Sequence, residues 1–147
     1  MAGPEFRLEQ VLKFRKEVEK MHQLELAKAK QQHELAREQL KMEKAALEAL
    51  SQEFAQRQLK GIDAKDLQLF GDFTRRKSKE IGEMRESVNS LEKAVQEKRE
   101  ALLVAAKEKK ALEVFKEKKM RDLKMEQLLK ERAFLDELAV QGRSERT

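Results

Sequence analysis

The stretch Lys60-Gly61-Ile62-Asp63-Ala64-Lys65-Asp66-Leu67-Gln68-Leu69-Phe70-Gly71-Asp72-Phe73 decides the fold. It holds two glycines and three aspartates, and both flanks read as helix. The chain's one proline is Pro4 and the other glycines are Gly3, Gly82 and Gly142. Helix breakers are therefore nearly absent outside residues 60–73. Gly61 suits a helix C-cap, and Asp63 or Asp66 suits an N-cap. Leu67, Leu69, Phe70 and Phe73 make this the most apolar short stretch. It reads as the bend of a helical hairpin.

Outward from the bend, apolar residues recur at steps of three and four. On the first helix, Val11, Phe14, Val18 and Met21 form one series. Leu26, Ala29, His33, Ala36, Leu40, Leu47, Leu50 and Phe54 form another, one residue out of register with the first. Such a slip predicts locally relaxed supercoiling. On the second helix, Ile81, Met84, Val88, Leu91, Val95, Lys98, Leu102, Ala105, Lys109 and Leu112 keep strict alternation, the mark of a coiled coil. Beyond Leu112 the register drifts, while Phe115, Leu123, Met125, Leu128, Leu135 and Leu138 keep the helix apolar. The predicted class is all-α, two long helices forming an antiparallel coiled-coil hairpin over residues 6–140. Residues 1–5 read as an unstructured start or cloning scar, and 141–147 as a frayed tail. At about 1.5 Å per residue, helices of about 55 and 65–75 residues reach roughly 80 and 105 Å. Both chain ends are expected at one end of the rod.

Composition agrees. Charged residues are 41% and apolar residues 39% of the 147. A round core needs more apolar volume, nearer the usual ~45–50%, whereas a narrow seam needs less. The 33 basic and 28 acidic residues interleave, giving a net charge of +5. That pattern fits solvated helix faces laced with i,i+4 pairs. No apolar run is long enough to span a bilayer, and no secretory signal core precedes Phe6. With no cysteine, disulfides, thiolate metal sites and cysteine nucleophiles are excluded.

Chemistry-bearing motifs are missing. There is no glycine-rich phosphate loop, no HExxH and no Gly-x-Ser-x-Gly. A slender hairpin offers no concave pocket in which to shift a carboxylate pKa. Neither an enzyme nor a cofactor is expected. His22 and His33 lie about 16 Å apart along a helix, too far to share a metal ion. The basic run Arg75-Arg76-Lys77-Ser78-Lys79 is followed at once by Glu80 and Glu83, with no aromatic stacking residue between, so nucleic acid is not expected as a partner.

Three segments carry a family resemblance. Phe6-Arg7-Leu8-Glu9-Gln10-Val11-Leu12-Lys13-Phe14-Arg15 resembles the opening of the flagellar export protein FliJ family. Glu108-Lys109-Lys110-Ala111-Leu112-Glu113-Val114-Phe115-Lys116-Glu117-Lys118 resembles its charged segment, and Leu135-Asp136-Glu137-Leu138-Ala139 its closing element. Order, spacing and length match over about residues 6–140. The resemblance implies a non-enzymatic cytoplasmic component of the type III export apparatus, similar to the central stalk of rotary ATPases. It implies binding to the hexameric export ATPase, to the membrane export gate protein and to export chaperones. It also implies a place at the cytoplasmic face of the inner membrane, held there by protein partners. A monomer is expected.

Two surfaces follow as expectations. The open end is expected to contact the ATPase through Leu8, Val11, Leu12 and Arg15, and through Leu128, Phe134, Leu135 and Leu138. The start of the second helix is expected to contact the export gate through Phe73, with Phe70, Lys77, Glu80, Ile81 and Met84 alongside. The competing reading of Phe70 and Phe73 is a plug that seals the bend. Competing functions are a generic coiled-coil spacer or chaperone, and a nucleic-acid-binding hairpin arm.

Overall fold

A computed structural model describes residues 3–145, apart from the side chains of residues 4–6 and 145. It contains α1, Pro4–Lys60, and α2, Ala64–Glu145. No strand occurs among the described residues. The two helices pack antiparallel as the predicted hairpin.

The bend is tighter than the sequence suggests. Only Gly61, Ile62 and Asp63 separate the helices, and residues 64–73, expected within the bend, are already α2. Gly61 takes a φ of 94°, a left-handed conformation that costs a residue with a Cβ. Its N–H donates to the Gln58 carbonyl at 3.2 Å and closes α1. Asp63 stands at the N-cap of α2, where its carbonyl accepts the Leu67 N–H at 3.1 Å. Gly71 does not break α2, since one glycine costs a helix interior only about 1 kcal/mol.

Both outer boundaries also move. Pro4 opens α1, although residues 1–5 read as unstructured. A fixed φ and a missing N–H suit proline to a first helical position. The Gly3 carbonyl accepts the Arg7 N–H at 3.3 Å. Met1 and Ala2 lie outside the described residues. At the other end α2 runs through Gly142 to Glu145, where a frayed tail was expected, and Arg146 and Thr147 lie outside the described residues.

The helices divide into two compact units. The unit of residues 20–103 is built on Leu26, Ala29 and Val95, with Leu102 packed against them. Leu40 and Ile81 are also buried. Lys98 reaches Glu25 at 3.2 Å and Lys77 reaches Glu43 at 3.3 Å, each between α1 and α2. Near the bend the Phe54 and Phe70 rings stack.

The other unit comprises residues 1–19 and 104–147. Leu12 (5% exposed) and Ala105 (4%) are the buried apolar residues among those described in it. Arg15 pairs with Glu108 at 2.5 Å, Lys109 with Glu19 at 2.7 Å, and Lys116 with Glu9. These pairs correct the expected register of α1. Buried and half-buried residues step through Leu8, Leu12, Arg15, Glu19, His22, Leu26, Ala29, His33, Ala36, Leu40, Glu43, Leu47, Leu50 and Phe54 without a slip, and Val18, Glu25 and Ser51 beside them are half-buried too. Val11, Phe14 and Met21, expected in the seam, are exposed, whereas Val18 of the same series is half-buried. Hydropathy misled here because the seam positions Arg15 and Glu19 are charged and gain their partners from α2. On α2 the expected seam residues from Ile81 to Leu112 are all buried or half-buried, and the alternation continues undrifted through Lys116 and Lys119.

Candidate partner-binding surfaces

From Arg121 to Ser144 every residue of α2 is exposed. Within this unit α2 outruns α1, whose second-turn Glu9 is already paired with Lys116. We refer to residues 121–144 as the overhang. It keeps Leu123, Met125, Leu128, Leu129, Phe134, Leu135, Leu138 and Val140 in water. Apolar side chains at that density mark a surface that another molecule covers.

The overhang also changes face. Continuing the seam steps beyond Lys119 gives Leu123, Glu126, Lys130, Ala133 and Glu137, mostly polar or small. The larger apolar residues have moved around the helix. Met125, Leu128 and Leu135 share one face, and an open groove there is lined by them with Leu129 and Arg132. Phe134 lies about 100° round the helix from Leu135, and Leu138 about 60° round on the same side.

The expected ATPase-contacting residues therefore separate. Leu128, Phe134, Leu135 and Leu138 stand free on the overhang. Val11 is exposed and Leu8 half-buried, whereas Leu12 is buried against α2 and Arg15 is held by Glu108. Leu12 and Arg15 thus serve the hairpin's own packing. Sequence reading passed over Met125 and Leu129 as contacts, although their 3–4 spacing to Leu128 and Leu135 carries the signal.

The expected gate-contacting residues separate likewise. Ile81 is buried in the seam, and Phe70 lies flat on Phe54, which matches the plug reading for Phe70. Phe73 and Met84 are half-buried, and Glu80 is exposed. Lys77 lies between Glu80 at 3.2 Å and Glu43 at 3.3 Å. Their carboxylates, Glu80 first, hold its ammonium above the ordinary lysine range. Lys109 is raised in the same sense by its hydrogen bond to Glu19. Arg75 is turned back onto Asp72 at 2.5 Å. Leu67 and Leu69, on the first turns of α2, are exposed.

Among the described residues no three His, Asp or Glu side chains cluster as a metal site would require. No described helix is long and apolar enough to cross a membrane.

No curated protein and no solved structure matches the chain significantly. The family model described as "Flagellar FliJ protein" matches residues 4–146, nearly the whole length and both helices. The chain therefore belongs to the FliJ family of flagellar export-apparatus components.

Proposed function

We propose that this chain is the stalk-like component of the export apparatus, and that the overhang of α2 is the element that engages the hexameric ATPase. The exposure of every residue from 121 to 144, with apolar side chains on more than one face, carries this reading. A helix bound on one side needs one apolar stripe. A helix surrounded by a ring needs several. Unequal contact with the ring's subunits then biases them into different states, because only differential binding shifts an equilibrium. Leu8 and Val11 of α1 add to the base of the same surface.

The export gate is assigned to the start of α2. Phe73, Lys77, Glu80 and Met84 fall at i, i+4, i+7 and i+11 and line one stripe, while Ile81 holds the seam beneath. Export chaperones complete the partner set, and the chain works at the cytoplasmic face of the inner membrane through these proteins. No catalytic step is assigned to the chain itself.

Phe134→Ala with Leu138→Ala tests the ATPase reading, since both residues are exposed and neither supports the seam. The variant keeps its melting temperature and loses ATPase stimulation. Full stimulation would refute the assignment. For the gate, Phe73→Ala is expected to lose binding with little change in melting temperature. A lowered melting temperature with binding retained would leave Phe73 as packing only.

A further inference from the structure

The outer face of α2 carries a second repeat that the hairpin does not use. From Val114 the steps run Lys118, Arg121, Met125, Leu128, Arg132, Leu135 and Ala139, alternating four and three without a break. All lie in one compact unit. Val114, Met125, Leu128 and Leu135 are exposed, the last two flanking Arg132 in the open groove. The stripe faces away from α1, whose ion pair to Lys116 falls on the opposite side of the helix. A seven-residue repeat this narrow has the geometry of a coiled-coil seam, not the broad face of a core helix.

Its charged positions have one sign. Lys118, Arg121 and Arg132 stand within the stripe, and Lys118 and Arg132 make no ion pair among the described residues. Arg121 reaches only exposed Glu117, at 3.9 Å. Glu131 and Asp136 stand at the groove's rim.

We propose that the outer stripe of α2, from Val114 to Ala139, binds an acidic amphipathic helix of a partner protein as a second coiled-coil seam. Apolar residues of that helix would pack on Met125, Leu128 and Leu135, and its carboxylates would meet Lys118, Arg121 and Arg132. In-seam charges of one sign select partner and register. A second copy of this chain fits poorly. A parallel copy sets Arg121 against Arg121, and an antiparallel copy in register sets Arg121 against Arg132. A bilayer favours cations flanking an apolar face, whereas here they interrupt it. Nucleic acid leaves Leu128 and Leu135 without a role.

This inference deepens the reading of the overhang as a partner-binding segment and rests on it. It is tested on the full chain with a labelled synthetic helix of about four heptads, leucine at d and glutamate at a, e and g. We expect binding that weakens with salt, and at least about tenfold weaker binding by Arg121→Glu with Arg132→Glu. Phe134→Ala with Leu138→Ala keeps most of the peptide binding, because neither side chain is one of the stripe's own positions. If that variant also keeps ATPase stimulation, the ATPase reading fails and the outer seam stands. The inference is overturned if charge reversal leaves peptide affinity unchanged. Equal binding of a scrambled peptide of the same composition would overturn it too, as would binding to phosphatidylglycerol vesicles but not to the peptide.

Discussion

The rings of Phe54 and Phe70 lie face to face, 5° from parallel, with centroids 3.7 Å apart. This stack joins the last turns of α1 to the first turns of α2, across a connection of only Gly61, Ile62 and Asp63. Stacked pairs contribute about 0.5–1.5 kcal/mol beyond the area they bury. Phe54→Ala and Phe70→Ala are each expected to cost about 1–3 kcal/mol, since both rings are half-buried. The double variant should cost less than the sum by about 1 kcal/mol. Urea denaturation of the four proteins checks this. Strict additivity would mean that the rings contribute independently.

The glycines predict opposite signs. Gly82 is exposed within α2, and a Cβ built there meets nothing within 4 Å. Gly82→Ala should stabilise by about 0.5–1 kcal/mol. Gly61 has equal space, but its φ of +94° strains any L side chain. Gly61→Ala should destabilise by about 1–2 kcal/mol. The midpoints of chemical unfolding give both values.

Alkaline stability follows from Lys77 and Lys109. Both are held above the ordinary lysine value of 10.5. A base raised on folding contributes stability that is fully present below its unfolded pKa and fades as pH rises through its folded one. The melting temperature should therefore show no loss from these lysines at neutral pH and should fall above about pH 10.5. Lys77→Gln should make that alkaline fall shallower while lowering the neutral-pH melting temperature slightly. An equally steep fall in the variant would contradict the role of Glu80 and Glu43.

The sequence makes the hairpin legible because Gly61 and the unbroken helix formers act locally. The α2 seam is legible for a related reason, since Ile81, Val95, Leu102 and Ala105 state their side of the helix by hydropathy. The first turns of α1 are not. There the seam runs through Arg15, Glu19 and His22, and only the carboxylates and ammoniums of α2 reveal it. Leu128, Phe134, Leu135 and Leu138 are recognisable as surplus apolar residues. That they stand beyond the end of α1 depends on how the two helices are offset. Reading residues 64–73 as bend shortens α2 and understates that overhang.

The most direct test is the turnover of the hexameric export ATPase with the full chain and with a chain ending at Met120. The truncation removes the exposed overhang and leaves every interhelix ion pair from Glu9–Lys116 to Glu43–Lys77 in place. The account predicts that the shortened protein stays helical, keeps its melting temperature and no longer stimulates turnover. Stimulation equal to that of the full chain would contradict it.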